Sequence, residues 1–199
     1  MNKGALIIIS GPSGSGKDTV LKELFKKMPE IEFSVSSVTR NMREGEIEGE
    51  KYNFVSREKF ESMIVNDQLL EYNVYCENYY GTPKAPVEWC IEKGGEIVLE
   101  VDVNGAKNVR KNCPDNFSIF IAPPSFVVLK NRLTGRGTET EVVIEKRLAQ
   151  AKKEMARADE YDYIVVNDDL DEAVNSIRLI ILSERNKLDR NRDLLEKLK

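Results

Sequence analysis

Three glycines and a lysine near the start of the chain have the types and spacing that bind phosphate. Gly11, Gly14 and Gly16 follow an apolar stretch, and Lys17 comes directly after them. Glycines at this spacing allow successive backbone N–H groups to point inward around an anion. An amphipathic stretch begins at the lysine, so a helix N-terminus adds its partial positive charge there. We therefore predict a P-loop that binds a nucleoside triphosphate, formed by Gly11, Pro12, Ser13, Gly14, Ser15, Gly16, Lys17, Asp18 and Thr19.

Asp18 departs from the usual P-loop sequence, in which a serine or threonine follows the lysine and its hydroxyl contacts Mg²⁺. In this chain Thr19 comes one residue later. Asp18 either contacts Mg²⁺ through a water molecule or favours the start of the helix as an anion in its first turn. The alternative for the whole segment is a tight turn with a surface lysine, but such a turn rarely needs three glycines at this spacing.

Four arginines outside this loop are further candidates for phosphate binding. Arg40 and Arg43 precede the segment Glu44-Gly45-Glu46, Arg136 lies between two glycines, and Arg147 lies on the helix predicted after it. Guanidinium groups bind phosphate oxygens with two parallel hydrogen bonds and keep their charge. Each alone could be a solvated surface arginine. Their placement in two segments that flank the phosphate loop favours the binding role.

Two carboxylates could also carry chemistry. Asp102 ends an apolar strand, where a Walker-B acid orients hydrated Mg²⁺ in P-loop proteins. Its alternative role is to cap the helix predicted near Asn104. Glu71 lies in a half-apolar setting beside Leu70 and Tyr72. A carboxylate there can accept hydrogen bonds from both N1–H and the 2-amino group of guanine, which adenine cannot satisfy, and its alternative is an ordinary surface acid.

The composition excludes several kinds of catalysis. Histidine is absent from the 199 residues, which rules out Ser-His and Cys-His nucleophiles and imidazole metal sites. The remaining groups are Lys, Arg, carboxylates, hydroxyls and a metal bound through oxygen. Phosphoryl transfer suits this inventory, because it depends on positioning and positive charge more than on proton relays.

Charge and cysteine content indicate the compartment and the partners. The net charge of −4 comes from nearly balanced signs, which disfavours nucleic-acid binding. Apolar runs stay well short of the ~20 residues that span a membrane, and the first residues do not resemble a signal peptide. Cys76, Cys90 and Cys113 are too scattered for a zinc site and are interpreted as reduced thiols. A cytoplasmic protein without membrane or nucleic-acid partners is expected.

The elements that must position these residues follow an alternating pattern. Short apolar strands are predicted at 5–10, 97–101, 117–122 and 163–166, with helical patterns between them. This alternation predicts an α/β fold, a parallel sheet with helices on both faces. Its ligand site should lie beyond the carboxyl ends of the strands.

Two segments interrupt the alternation. Half-exposed strands at 33–38 and 52–55 predict a small antiparallel lobe. Later, Ser125 has the position of an N-cap, Gly135-Arg136-Gly137 ends the helix that follows, and a second apolar stripe begins near Ile144. A pair of helices with a Gly-Arg-Gly tip is typical of a mobile lid.

Taken together, these motifs make the chain resemble the guanylate kinases over nearly its whole length. The resemblance is carried by segments 11–17, 34–43, 52–55, 78–82, 100–102, 121–125, 132–140 and 166–169. It implies one domain over 1–199, a P-loop NTPase-type core at 1–34, 86–122 and 158–199, a GMP-binding lobe at 35–85 and a helical lid at 123–157. The implied reaction moves the γ-phosphoryl group of MgATP to GMP or dGMP, giving ADP and GDP.

The resemblance also implies a role for individual residues. The charges around the transferred phosphoryl group are Lys17, Arg136 and Arg147. Asn167 lies where the family contacts the ATP base. The residues expected to bind GMP, phosphate clamp first, are Ser36, Arg40, Arg43, Tyr52, Tyr80, Gly81, Glu71, Thr82 and Asp102.

Two other functions stay open at this point. Guanylate-kinase-like domains of scaffold proteins bind phosphorylated partners without catalysis, but they typically lose the phosphate loop, which is intact here. A kinase that accepts AMP or a pyrimidine monophosphate is disfavoured by Glu71 together with Thr82.

Overall fold

The computed structural model describes residues 4–75, 77–113, 115–135 and 141–197, without the side chains of 141, 142, 194 and 195. Arg136, the tip of the predicted lid, lies outside these residues, as does Cys76. The chain divides into two compact units, the first formed by 1–8 and 31–116 and the second by 9–30 and 117–199. Each unit is described by itself below.

Strands and helices alternate along most of the described chain. The strands are β1 (Ala5–Ser10), β2 (Glu32–Phe33), β3 (Ser36–Val38), β4 (Tyr52–Phe54), β5 (Leu69–Tyr75), β6 (Asn78–Pro83), β7 (Glu96–Glu100), β8 (Asn116–Ala122) and β9 (Tyr163–Val166). The helices are α1 (Lys17–Lys27), α2 (Arg57–Val65), α3 (Lys84–Glu92), α4 (Val103–Asn112), α5 (Phe126–Thr134), α6 (Glu141–Met155), α7 (Leu170–Arg185) and α8 (Arg192–Lys197). The four strands predicted from apolar runs are confirmed to within one residue at each end.

The first unit contains part of the main sheet and a second, smaller sheet. In the main sheet β2 pairs in parallel with β7, with Glu32 opposite Ile97, and β7 neighbours the first residues of β1. The smaller sheet has the strand order β4-β3-β6-β5. A helix and an aromatic ring close its core, since Phe60 of α2 stacks on Tyr79 with ring centroids 5.0 Å apart.

Two details of the predicted lobe are wrong. The stretch 33–38 is not one strand, because the Ser34 N–H donates to the Val98 carbonyl in the main sheet and the chain then enters the smaller sheet as β3. The smaller sheet is also mixed, since β3 and β4 pair in parallel whereas β3–β6 and β5–β6 are antiparallel. The physical reason is the long loop 39–51, because parallel neighbours need a connection of that length.

The second unit contains the end of β1 beside β8 and β9. β8 and β9 are parallel, with Ile119 opposite Tyr163 and Ala122 opposite Val166. The expected helix pair is confirmed: the Ser125 hydroxyl caps α5 by accepting from the Val128 N–H. Leu129 and Leu133 of α5 pack against α6.

The two units together give an α/β fold with a parallel sheet flanked by helices, as predicted. The last long helix, α7, ends at Arg185, and Leu188 lies in a separate 3₁₀ turn. Among the described residues, the helices are all too short or too polar to cross a membrane.

Candidate active site

The turn between β1 and α1 has the backbone that the phosphate-loop prediction requires. Gly16 has φ 89° and precedes α1, and Gly11 has φ 151°. A Cβ atom at Gly11 would lie 2.2 Å from the Ile121 carbonyl oxygen, so only glycine allows this close approach. The start of α1 has no side-chain cap, whereas Asp102, Ser125 and Asp169 cap later helices. Backbone groups at this helix start therefore point toward the place where an anion would bind.

Two cations of the second unit converge on the loop. The Lys17 Nζ atom donates to the carbonyl oxygens of Gly11 at 2.7 Å and Pro12 at 3.2 Å. The Arg147 guanidinium reaches from α6 and donates to the Ser13 hydroxyl at 2.6 Å. The structure thus brings Lys17 and Arg147 to the same loop, and the family resemblance implies that both act on the same phosphoryl group.

Asn167 and Arg132 stabilise the loop through hydrogen bonds to its backbone. The buried Asn167 side chain donates from Nδ2 to the Ser15 carbonyl at 2.7 Å. Arg132 donates to the same carbonyl at 3.3 Å and to the Asn167 carbonyl at 2.9 Å. The structure shows the contact of Asn167 with the loop, and the contact of Asn167 with the ATP base stays a prediction. The role of Arg132 was missed, although it stands at the start of the 132–140 motif.

In the first unit, several residues that were predicted to bind the GMP phosphate cluster around Arg40. The aromatic side chain of Tyr52 lies beneath the Arg40 guanidinium at 4.9 Å, and the Tyr52 and Tyr80 rings meet edge-on at 6.4 Å. Ser36 pairs with Tyr52 across β3 and β4. Arg43 is exposed, and its backbone joins this cluster: its N–H donates to a Glu46 carboxylate oxygen at 2.8 Å, and its carbonyl accepts from the Glu46 N–H at 3.1 Å.

Glu46 is a member of this cluster that sequence reasoning missed. Arg40 donates to both of its carboxylate oxygens at 2.6 Å. These charge-assisted hydrogen bonds, with the backbone N–H of Arg43, lower the pKa of Glu46 to about 2. The same pair raises the pKa of Arg40. The segment Glu44-Gly45-Glu46 directly after the two arginines was the available signal.

Glu71 occupies a buried position beside Thr82. Its side chain is only 8% exposed, and its Oε1 atom accepts a hydrogen bond from the Thr82 hydroxyl at 2.8 Å. A register irregularity between Leu69 and Glu71 places Glu71 directly opposite Thr82 on β6. Burial raises the pKa of Glu71 to about 7, and the nearby Asp102 charge adds to the effect. The surface-acid alternative is therefore wrong.

Asp102 acts as a helix cap in this structure. Its Oδ1 atom accepts hydrogen bonds from the backbone N–H groups of Asn104 at 3.0 Å and Gly105 at 2.7 Å, and its Oδ2 atom accepts from Asn73 at 3.1 Å. The capping alternative left open by the sequence is thus confirmed. A role of Asp102 toward Mg²⁺ or guanine stays a prediction.

Gly81 supports the same region through its lack of a side chain. A Cβ atom there would lie 2.8 Å from the end of the Phe60 ring and 3.0 Å from the Glu71 carbonyl oxygen. Gly81 therefore allows β6 to pack between helix α2 and strand β5, which keeps Thr82 in line with Glu71.

These features define a class of protein before any comparison is made. A phosphate loop with two cations in one unit, and a buried acid and an arginine–glutamate pair in the other, suit a P-loop phosphotransferase that binds two nucleotides. The guanylate kinase family model matches residues 3–184 of the chain. The chain belongs to the guanylate kinase family.

Individual relatives agree with this assignment. The guanylate kinase of Clostridioides difficile (strain 630) is 46% identical, over 100% of this chain and 98% of the relative. That of Lactobacillus delbrueckii subsp. bulgaricus is 48% identical, over 92% and 90%. The crystal structure of guanylate kinase from Anaplasma phagocytophilum aligns with a TM-score of 0.82 at 32% identity, covering 99% of this chain and 96% of that one. The protein is a nucleoside monophosphate kinase that phosphorylates GMP with ATP.

The burial of Glu71 predicts a pH-dependent stability. Below its ordinary pKa of 4.5 the Glu71 carboxyl is protonated in both the folded and the unfolded protein. As the pH rises toward about 7, this carboxyl ionises in the unfolded protein but stays largely protonated in the folded one. The free energy of unfolding should therefore fall by up to ~3 kcal/mol between about pH 4.5 and pH 8. In Glu71→Gln, this contribution to the pH-dependent decrease in the free energy of unfolding should be absent.

Urea unfolding at several pH values measures the effect. Glu88→Gln is the matched control, because Glu88 is exposed on α3, and it should keep the pH profile of the unmodified protein. Identical profiles for Glu71→Gln and Glu88→Gln would contradict the raised pKa.

Proposed function

We propose that this protein transfers the γ-phosphoryl group of MgATP to GMP or dGMP through the two groups of side chains described above. The observation that carries the choice of acceptor is the buried Glu71 carboxylate beside the Thr82 hydroxyl. Burying an acid costs free energy, and a ligand that donates hydrogen bonds to Glu71 would offset that cost. Guanine offers two adjacent donors, N1–H and the 2-amino group.

In the proposed ATP site, the loop from Gly11 to Thr19 binds the phosphates through its backbone N–H groups. Lys17 and Arg147 already lie on this loop and supply positive charge to the terminal phosphate. Arg136 is assigned the same role by its family resemblance alone. Asn167 contacts the base while its amide hydrogen supports the loop.

In the proposed GMP site, the phosphate and the base are bound by different groups. The phosphate is bound by Ser36, Arg40, Arg43, Tyr52 and Tyr80. The guanine base is bound by Glu71, Gly81, Thr82 and Asp102. Arg40 retains N–H donors that Glu46 does not use, because a guanidinium carries five. It can therefore bind an incoming phosphate while keeping its carboxylate partner.

The chemistry needs no general base. An oxygen of the GMP phosphate is anionic at neutral pH and attacks the γ-phosphorus of ATP in line. A new P–O bond forms as the bond from the γ-phosphorus to the β,γ-bridging oxygen breaks, and the electrons stay with ADP. Lys17, Arg147 and Arg136 would stabilise the charge on the transferred group, which is the main source of acceleration in such reactions.

Mg²⁺ suits the donor chemistry of this site. The oxygen side chains at the start of α1 are Asp18 and Thr19, and oxygen donors are those that Mg²⁺ prefers. Within the described residues, three or more metal-ligating side chains do not cluster. We therefore propose that the ATP phosphates provide most of the coordination. The ion neutralises phosphate charge when it is bound.

The proposed domain organisation follows the resemblance: a core, a GMP-binding lobe at 35–85 and a lid at 123–157. Closure of the lid would exclude water, which otherwise would compete with GMP as acceptor. We propose a cytoplasmic location, since Cys90 is a free buried thiol, in keeping with a reducing compartment.

Replacing the loop lysine tests the ATP site. Lys17→Ala should lower kcat roughly 10²–10³-fold, because one charge beside the transferred group is worth several kcal/mol. Lys22→Ala, an exposed position on the same helix, is the matched control and should retain activity. A coupled assay of ADP formation measures both. Near-normal turnover of Lys17→Ala, with the fold intact by circular dichroism, would contradict the proposed loop.

Metal dependence tests the role of Asp18. Activity should vanish with EDTA and return with Mg²⁺ or Mn²⁺ but not Zn²⁺. In Asp18→Gly the Mg²⁺ concentration for half-maximal rate should change less than about threefold, because the phosphates dominate the coordination. A loss of activity that excess Mg²⁺ restores would instead identify Asp18 as a metal ligand.

Substituting the buried acid tests base recognition. Glu71→Gln places an NH₂ donor against a guanine donor, a mismatch worth about 1–3 kcal/mol, so kcat/KM for GMP should fall roughly tenfold to several hundredfold. IMP lacks the 2-amino group, so kcat/KM for IMP should fall less. The ratio of kcat/KM for GMP to kcat/KM for IMP should therefore become smaller. KM for ATP should stay unchanged.

The control for this substitution is again Glu88→Gln, and assays with GMP, AMP, CMP and UMP complete the comparison. An unchanged GMP-to-IMP ratio in Glu71→Gln would remove Glu71 from the guanine site. Faster turnover of AMP than of GMP by the unmodified protein would overturn the choice of acceptor.

A further inference from the structure

Helix α4 is fixed to strand β5 at both of its ends. At its C-terminal end, the Asn112 side chain donates to the Leu70 carbonyl at 2.8 Å. At its N-terminal end, Asp102 caps the helix and accepts from Asn73 of β5 at 3.1 Å. Two hydrogen bonds from separate turns leave the helix little freedom to move away from the strand.

Gly105 lies on the first turn of α4, between these two attachments and against Glu71. A Cβ atom at Gly105 would lie 3.1 Å from Glu71 Oε2, 3.2 Å from the Val101 Cβ atom and 3.4 Å from Asp102 Oδ1. The distances to Glu71 Oε2 and to the Val101 Cβ atom are tighter than ordinary van der Waals contacts, so both neighbours would have to move by a few tenths of an ångström. The helix is held at both ends and the Val101 Cβ atom is attached directly to the backbone, so the end of the Glu71 side chain is the group that moves most easily.

The backbone gives no reason for a glycine at this position. Gly105 is not among the glycines with positive φ, and its N–H makes an ordinary cap hydrogen bond to Asp102. Alanine would stabilise a helix position of this kind relative to glycine. The space beside the Glu71 carboxylate and the Val101 Cβ atom is therefore the reason that the structure offers.

We propose that Gly105 is a positioning residue for guanine recognition, because its missing side chain sets where Glu71 Oε2 lies. This inference rests on the proposed role of Glu71. The other oxygen, Oε1, is fixed by the Thr82 hydroxyl at 2.8 Å. A methyl group at 105 forces the carboxylate either to leave Thr82 or to present Oε2 at a poorer angle to guanine, and hydrogen bonds weaken steeply with misalignment.

The test compares Gly105→Ala with Asn108→Ala. Asn108 is an exposed residue of the same helix, so its substitution raises helix propensity without approaching Glu71. Gly105→Ala should raise KM for GMP about five- to twentyfold, the loss of roughly one hydrogen bond. Its kcat, its KM for ATP and its thermal unfolding midpoint should stay close to those of the unmodified protein, and Asn108→Ala should change none of them appreciably.

Three results would overturn the inference. One is an unchanged KM for GMP in Gly105→Ala. Another is an equal rise in Asn108→Ala. The third is a lower kcat in Gly105→Ala together with weaker binding of both nucleotides and a lower thermal unfolding midpoint. This result would show a purely structural role.

Glu71→Gln, assayed beside these variants, separates the two proposals. If Glu71→Gln lowers the ratio of kcat/KM for GMP to that for IMP, and Gly105→Ala leaves KM for GMP unchanged, the positioning role of Gly105 fails and the guanine site stands. If Glu71→Gln leaves this ratio unchanged, the guanine role of Glu71 and the positioning role of Gly105 fail together.

Discussion

The backbone between β1 and α1 passes so close to the Ile121 carbonyl that residue 11 has no room for a side chain. This constraint determines much of the second unit. β8 must bring Ile121 to that point, and the chain then continues into α5, whose Arg132 returns to hold the Ser15 carbonyl. β9 pairs with β8 and delivers Asn167 to the same carbonyl. The loop conformation that binds phosphate is thus maintained by neighbours from two later segments.

In the first unit, the proposed role of Glu71 in guanine recognition opposes the stability of the fold. Folding removes this carboxylate from water, which raises its pKa, and the Thr82 hydrogen bond compensates only in part. A glutamine or a leucine would be easier to bury. The first unit is therefore less stable at neutral pH than it could be, and the compensating gain, under the proposed function, is an acceptor pair that discriminates between purines.

Features with local causes could be predicted from the sequence. The phosphate loop, the four apolar strands and the Ser125 cap each depend on a few consecutive residues, and all were found. Features that depend on distant residues were missed. Nothing near Arg132 indicates its contact with Ser15, and nothing near Gly105 indicates Glu71, because sheet pairing and helix packing bring these residues together.

The same distinction explains the intermediate cases. The cap at Asp102 was one of two alternatives, since a strand-end acid before Asn104 satisfies both patterns. The parallel pairing of β3 and β4 was missed because half-exposed strands give no information on direction. The role of Glu46 could have been considered, because an acid three residues after Arg43 is within reach of its neighbours.

The ion pair between Arg40 and Glu46 has a consequence for how fast and how tightly a nucleotide can bind. Arginine loses considerable rotational freedom when it is ordered. Here that loss occurs when the lobe folds, because Glu46 and the Tyr52 ring already hold the guanidinium. In the proposed GMP site, an incoming phosphate would meet a donor that is already ordered, so less conformational entropy would be lost on binding. Glu46 therefore orders the Arg40 guanidinium before any other anion binds to it.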